Sequence, residues 1–249
     1  MSFRGTVNTS PSPFQSNDFE TFLINVICVL LMYGSAYLAN TGAMLFGKWI
    51  PEKTGFPVAI IDGGRNYSDG NRILGDGKSW NGLIGGGIFS GLLFIIAHNI
   101  WKGNGTEAPF IDPLTYASSN DWFWFFEGDS GSIMAAFTMG FILGVACMIG
   151  DLCGSFVKRR KGLKREGDES SEAPLLDTVP FAVAIFIAAF LLFDGQIITH
   201  PDLYEEILFL LIITPIIHRL VNILGFKLCL LYTSPSPRDL STSRMPSSA

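Results

Sequence analysis

The sequence predicts an all-α integral membrane protein with five transmembrane helices, an N-terminus outside the cell and two basic cytoplasmic loops. Of the 249 residues, 48% are hydrophobic and 16% are charged, whereas soluble domains carry roughly 25% charged residues. The mean hydropathy is +0.36. Five apolar segments approach the roughly 20 residues that a helix needs to cross a bilayer. A formal net charge of −5 argues against a nucleic-acid partner, because such proteins usually present a basic surface.

The five predicted spans place one membrane domain at residues 19–228. The spans are residues 19–39, 83–101, 131–150, 179–199 and 203–226. Residues 1–18 form a polar extracytoplasmic extension, and residues 102–130 form a long outer loop with an aromatic run at 122–126. The Ser- and Pro-rich tail at 229–249 resembles translated sequencing-adapter DNA, so we expect it to be an artefact without function.

The orientation follows from the Lys and Arg residues, which favour the cytoplasmic side of short loops. The segment 41–80 carries five of them and the segment 154–177 carries six, whereas the segment 102–130 carries one. This asymmetry places the two basic loops in the cytoplasm. A glycine cluster in the second span, at residues 85–87 and 91, predicts that a neighbouring helix packs closely there.

Polar residues of separate spans are expected at one depth, beside the basic loops. They are Asn40, Asp151, His218 and Asn222. Asp151 and Ser155 are four residues apart and Lys158 lies a further turn on, so the three share one helix face. Because charges inside a span are unfavourable, the cluster indicates a functional site. The alternative is that these residues cap helices or hydrogen-bond across the bundle.

The first cytoplasmic loop, IDGGRNYSDGNRILGDGKSWNG, combines glycines, carboxylates and cations. Glycines let backbone N–H groups approach an anion, cations such as Arg72 and Lys78 suit phosphate, and carboxylates suit Mg²⁺. In the second loop, Asp151 and Asp177 bracket the run of six cations. Two carboxylates around a basic loop suit a metal–triphosphate complex. Gly-Asp turns are also common in ordinary loops, and a basic run also sets topology and contacts anionic lipids.

Three motifs, in chain order, resemble the archaeal CDP-archaeol synthase family. The first loop contains Asp62-Gly63-Gly64 and then DGNRILGDGKSWNG at 69–82; residues 150–181 contain GDLCGSFVKRRKGLKREG and LLDTVPF; residues 214–222 contain TPIIHRLVN. The pattern departs from the family at Thr178, where Gln is usual, and at Asn81, where Arg is usual.

The resemblance implies a multi-pass cell-membrane enzyme with its active site facing the cytoplasm. Its substrates would be CTP and an isoprenoid ether lipid phosphate, 2,3-di-O-geranylgeranylglyceryl phosphate, and its cofactor Mg²⁺. By similarity Asp151 and Asp177 are metal ligands, and Lys78 and Lys158 join them as catalytic residues. The implied substrate-binding residues are Asn40, Asp69, Arg72, Lys78, Ser155, Lys158, Arg159, Arg160, His218 and Asn222.

Two other functions remain open at this point. A CDP-diacylglycerol synthase acting on phosphatidate would use the same polar residues, because the sequence offers only apolar groups for the lipid chains. An ion or proton carrier could use Asp151, His218 and Arg219 as a relay. The glycine-rich basic loop argues against a carrier, which does not need a phosphate-binding loop outside the membrane.

Overall fold

The computed structural model describes residues 19–103, 109–112, 114, 128–162, 174–192 and 204–227. Within the helices, the side chains at 128–131, 174–177, 192, 218, 219 and 221–227 fall outside this description. The regular structure of the described residues is helical, with isolated β-bridges between Ile60 and Ser79 and between Asn66 and Arg72. The predicted tail at 229–249, the extension at 1–18 and the aromatic run at 122–126 lie outside the described residues.

The helices follow the order expected from the apolar segments. They are α1 (Phe19–Tyr37), α2 (Ala39–Met44), a π-helical turn (Leu45–Trp49), α3 (Ile50–Thr54), α4 (Trp80–Trp101), α5 (Gly128–Arg160), α6 (Pro174–Leu192) and α7 (Tyr204–Lys227). The end of the bundle that carries residues 54, 80 and 160 is called the loop end, because the glycine-rich loop at 55–79 lies there.

The first helix is longer than the predicted span. Instead of ending at residue 39, helical structure continues to Thr54 as one stretch of 36 residues. The π-helical turn ends at Trp49, two residues before Pro51, which has no N–H to donate to the preceding turn. A π-helical turn accommodates such a break without ending the helix. The helix ends where Gly55 adopts a positive φ of 72° and its N–H bonds to Pro51 O.

Three helices of the described chain have the length and hydropathy of a membrane span. They are Phe19–Thr54, Trp80–Trp101 and Ser132–Arg160, and α6 adds a shorter apolar stretch at Thr178–Leu191. Apolar side chains also cover the outside of the bundle. Leu208, Ile212 and Ile216 on α7 are all more than half exposed and recur every four residues. A continuous apolar stripe of this kind is unfavourable in water, so it indicates contact with lipid chains.

The predicted close approach at the glycine cluster is confirmed in the contact between α4 and α5. A Cβ atom added at Gly91 would lie 2.8 Å from Phe137 Cδ2 and 2.9 Å from Phe137 O, and one at Gly87 would lie 2.8 Å from Val145 Cγ2. Small residues therefore bring the two helices together, and α5 carries its charged end to the loop.

The opposite end of the bundle is held together by a buried histidine. On α4, His98 Nδ1 lies 2.8 Å from Asp112 Oδ2, and His98 Nε2 lies 3.2 Å from Ser132 Oγ on α5. The second Asp112 oxygen accepts a hydrogen bond from Leu114 N. These contacts fasten the segment after α4 to two helices.

We expect Gly91→Ala to lower the melting temperature of the detergent-solubilised protein, because the added methyl group meets backbone as well as a ring. Overpacking of this kind typically costs about 1–3 kcal/mol. Gly34→Ala is the matched control, since nothing lies within 4 Å of a Cβ at that position. Equal melting temperatures for the two variants would contradict the close approach of α4 and α5.

Candidate active site

The glycine-rich loop is organised around the buried carboxylate of Asp62. Arg72 donates to both Asp62 oxygens, from Nη2 to Oδ1 at 2.7 Å and from Nε to Oδ2 at 3.4 Å. The backbone N–H groups of Gly64, Leu74 and Gly75 donate to the same carboxylate at 2.9–3.0 Å. One side chain therefore joins three parts of the loop.

Burial alone would raise the pKa of Asp62, but the Arg72 guanidinium and the three backbone donors outweigh it. The pKa of Asp62 is therefore held well below its usual range. The carboxylate is therefore ionised at any physiological pH, and its four partners within the loop satisfy it.

Both ends of the loop are fixed to α4. Ser79 caps the helix by accepting a hydrogen bond from Gly82 N at 3.1 Å. Asn81, one of the departures from the family pattern, accepts from Ala59 N at 3.0 Å and donates to Pro57 O at 3.2 Å. An amide can serve both partners, whereas the usual Arg could only donate.

The loop also docks on the charged end of α5. Arg160 donates to Asp69 Oδ1 at 2.9 Å and to the Arg72 carbonyl at 2.6 Å, and its guanidinium lies 4.7 Å from the Tyr67 ring centroid. Arg159 Nε donates to Leu74 O at 3.5 Å. The first part of the basic run thus binds the protein's own loop.

A polar cavity of about 300 Å³ opens where the loop meets the bundle. Its polar side chains come from four elements and are Asn40, Lys48, Asp76, Lys78, Ser79 and Asp151. Lys78 Nζ, from the end of the loop, is paired with Asp151 Oδ2 on α5. Both side chains are about one-fifth exposed, so the pair faces the cavity and remains accessible to a ligand.

The structure brings together three of the predicted site residues in this cavity: Asn40, Lys78 and Asp151. Asp69 and Arg72 lie in the loop network, while Arg159 and Arg160 reach that network from α5. Ser155 and Lys158 lie on the last turns of α5, between Asp151 and the loop contacts. The side chains of Asp177, His218 and Asn222 lie outside the described residues.

The backbone nevertheless brings the segments of Asp151 and Asp177 to one crossing. A Cβ atom added at Gly150 would lie 2.4 Å from Pro180 O and 2.6 Å from Phe181 Cα. Residue 151 adjoins this contact between α5 and α6, and residue 177 is one helical turn from it. The two segments that bracket the basic loop in sequence are therefore neighbours at the loop end.

Three residues in or beside the cavity were missing from the predicted site: Lys48, Asp62 and Asp76. A signal existed for Asp62, because a carboxylate followed by two glycines suits an acceptor of several backbone N–H bonds. Lys48 gave no such signal, since residues 41–54 were expected to form a loop. Its place depends on the helix continuing through the π-helical turn.

The carboxylates of the cavity suit a magnesium ion that is shared with a substrate. Mg²⁺ is commonly bound by one or two carboxylates together with substrate phosphates and waters. Asp76 and Asp151 supply carboxylates and Asn40 supplies an amide. Among the residues whose positions are described, no three His, Cys, Asp or Glu side chains are grouped closely enough to hold a metal alone. The donor set therefore fits an ion that arrives with phosphates.

Comparison with known proteins first gives the class. Residues 76–169, which run from the end of the loop through α4 to beyond the charged end of α5, match the model of the Cytidylyltransferase family. Residues 20–116 and 124–232 match the model described as CDP-archaeol synthase. The chain thus combines an apolar helical bundle with the sequence of a nucleotidyltransferase.

Individual relatives give the particular family. A CDP-archaeol synthase of Picrophilus torridus is 32% identical over 83% of this chain and 96% of its own length. A CDP-archaeol synthase from Methanospirillum hungatei is 33% identical over 78% of this chain and 94% of its own length. A solved intramembrane enzyme for archaeal membrane lipid biosynthesis has 23% identity and a TM-score of 0.49, over 78% of this chain and 92% of that one. This protein belongs to the CDP-archaeol synthase family.

We expect Asp62→Asn to destabilise the loop by about 2 kcal/mol or more, because Arg72 loses a buried carboxylate partner. Thermal unfolding and protease cleavage between residues 55 and 79 measure this. Asp76→Asn is the control: its side chain, which is 67% exposed, also pairs with Arg72 at 2.7 Å, and exposed pairs contribute about 1 kcal/mol or less. Equal losses in the two variants would contradict the central role of Asp62.

The stabilisation by Asp62 also has a defined pH dependence. Because the pKa of Asp62 is lowered in the folded state, its contribution is complete above about pH 5 and is lost as the pH falls below the ordinary Asp value of about 4. The stability difference between the wild type and Asp62→Asn should therefore be constant from neutral pH to about 5 and shrink in acid. A difference that grows on acidification would refute this assignment.

Proposed function

We propose that this protein transfers the cytidylyl group of CTP to 2,3-di-O-geranylgeranylglyceryl phosphate, forming CDP-archaeol and pyrophosphate. The observation that carries the proposal is the Lys78–Asp151 pair in a polar cavity at the end of an apolar bundle. A soluble triphosphate and a membrane lipid can meet only at such a boundary. Membership of the family supports the same reaction.

The reaction is a single displacement at phosphorus. An oxygen of the lipid phosphate attacks the α-phosphorus of CTP, the new P–O bond forms, and the bond to the β-phosphate oxygen breaks as pyrophosphate leaves. The attacking phosphate is already anionic at pH 7, so no residue has to remove a proton. The protein's task is to position two anions and to neutralise their charge.

The cavity residues have separate roles in this scheme. Lys78 donates a hydrogen bond to a phosphate oxygen and offsets negative charge during the displacement. Asn40 donates a hydrogen bond from its side-chain amide to an oxygen of a substrate. Asp151, with Asp177, would hold Mg²⁺. Such an ion would supply Lewis-acid stabilisation of the phosphate charge. Asp151 also holds Lys78 in place before substrates enter.

The remaining predicted residues surround this centre in the proposed enzyme. Lys158 and Arg159 bind the triphosphate with support from Ser155, and Arg160 contributes by holding the loop through Asp69 and the Arg72 backbone. By similarity to the family, His218 and Asn222 would bind substrate as hydrogen-bonding groups. His218 is not a general base, since the lipid phosphate needs none.

We further propose five membrane spans, with the N-terminus outside and the site facing the cytoplasm of a cell membrane. The loop at 55–79 and the described part of the second basic segment, up to residue 162, lie at the loop end of the bundle together with the cavity. Lys and Arg favour the cytoplasmic side, and CTP is a cytoplasmic nucleotide. The lipid substrate would enter from the surrounding inner leaflet.

We expect Asp151→Asn to reduce CDP-lipid formation at least 100-fold in liposomes that contain the lipid phosphate, CTP and Mg²⁺. The variant removes the charge that holds both Lys78 and the ion, an electrostatic loss of several kcal/mol. Glu52→Gln is the matched control, because Glu52 is an exposed carboxylate at the same end of the bundle. Near-wild-type turnover by Asp151→Asn would remove Asp151 from the reaction.

The lipid class is tested separately. We expect the wild type to turn over the isoprenoid ether phosphate faster than diacyl phosphatidate at equal surface concentration, as the family name implies. Radiolabelled CTP incorporated into each lipid measures both rates. Equal or faster turnover of phosphatidate would make the protein a CDP-diacylglycerol synthase.

A further inference from the structure

We propose that Lys48 is a substrate-binding residue and that it binds the phosphate of the lipid rather than the triphosphate of CTP. The inference rests on the proposed function, because it assigns one of the two phosphates of that reaction to a particular side chain. Neither the motifs of the sequence nor the predicted set of site residues includes Lys48.

Lys48 reaches the cavity from a different wall than Lys78 does. Lys78 comes from the loop and pairs with Asp151 on α5, whereas Lys48 lies in the π-helical turn of the first helix. Among the described residues lining the cavity, these two carry the positive charges. Two phosphates must be held close together for the displacement, and two cations on separate walls suit that arrangement.

The neighbours of Lys48 show which phosphate lies on its side. Phe46, Ile50 and Pro51 on the same helix line an apolar groove of about 430 Å³, together with Trp80 and Ile84 from the start of α4. The exposed sides of Trp80 and Ile84 open this groove to the surroundings of the bundle. Its size and apolar lining suit an isoprenoid chain, and no part of CTP has comparable chemistry.

Close helix packing separates the groove from the cavity. A Cβ atom added at Gly47 would lie 3.0 Å from Ser79 Oγ and 3.1 Å from Gly82 Cα, so the first helix and α4 touch here. Lys48 is the next residue, on the cavity side of this contact. A lipid whose chain lies in the groove would carry its phosphate around the end of this contact, and Lys48 is the cavity cation that comes from the helix lining the groove.

The π-helical turn explains how one helix serves both sides. A π-helical turn holds about one residue more than an α-helical turn and is frequent at functional sites. Here the extra residue lets positions 47 and 48 face the cavity while 46, 50 and 51 face the groove. The same turn that accommodates Pro51 thereby places a cation at the boundary between polar and apolar surfaces.

The test compares Lys48→Ala, Lys48→Arg and Lys53→Ala in two arms. Lys53 is the matched control, since it lies on the same helix with its Nζ 3.9 Å from the Trp49 ring centroid and is not part of the cavity lining. In the first arm, turnover in liposomes gives KM for the lipid phosphate and for CTP. We expect Lys48→Ala to raise KM for the lipid roughly tenfold, because one charge-assisted hydrogen bond is lost. The same variant should raise KM for CTP less than about twofold. Lys48→Arg should keep most of the affinity, and Lys53→Ala should match the wild type.

The second arm measures binding without turnover. The shift in melting temperature is recorded with 2,3-di-O-geranylgeranylglyceryl phosphate alone in detergent micelles, and separately with CTP and Mg²⁺ alone. The lipid should stabilise the wild type and Lys53→Ala but not Lys48→Ala, and CTP should stabilise all three equally. A defect confined to CTP, or no defect in either arm, would overturn the assignment of Lys48. If the wild type binds lipid phosphate through Lys48 but forms no CDP-lipid, the proposed function fails while this inference stands.

Discussion

The ion pair between Lys78 and Asp151 is the interaction on which the site depends. It joins the last residues of the glycine-rich loop to α5, close to where the apolar part of that helix gives way to its charged end. Each charge partly offsets the cost of placing the other beside the apolar bundle. Together they hold the loop against the bundle and leave a carboxylate and an ammonium group facing a cavity, which is the chemistry that a metal–phosphate complex needs.

The loop itself depends on Asp62, whose carboxylate bonds to Arg72 and to three backbone N–H groups. Such a loop is ordered before a substrate arrives, so binding energy need not be spent on folding it. Arg160 adds a second attachment through Asp69. The cations at the end of α5 thus hold the loop in place, in addition to the substrate-binding role proposed for them.

The sequence alone determined the helical class, the order of the apolar segments and the acidic and basic motifs. These follow from local chemistry, because a segment of about 20 apolar residues spans a bilayer as a helix. The glycines at 87 and 91 predict close helix packing, and their contacts with α5 confirm it. Asn40 and Asp151 could be placed in one site because each ends or adjoins an apolar segment, and Lys78 was added to them by resemblance to the family. The family was also readable, since its motifs lie in order along the chain.

Only the tertiary structure decided which charges face the cavity and which face other parts of the protein. Arg72 and Arg160 look equivalent to Lys78 in sequence, yet their partners are Asp62 and Asp69, separated from them by 10 and 91 residues. The continuation of the first helix to Thr54, and with it the place of Lys48, also escaped prediction, because it depends on a π-helical turn that accommodates Pro51. The amino-acid sequence shows which side chains are charged. Their partners are set by how α4, α5 and the loop pack, since a charge at this boundary is stable only where an opposite charge or a hydrogen-bond donor reaches it.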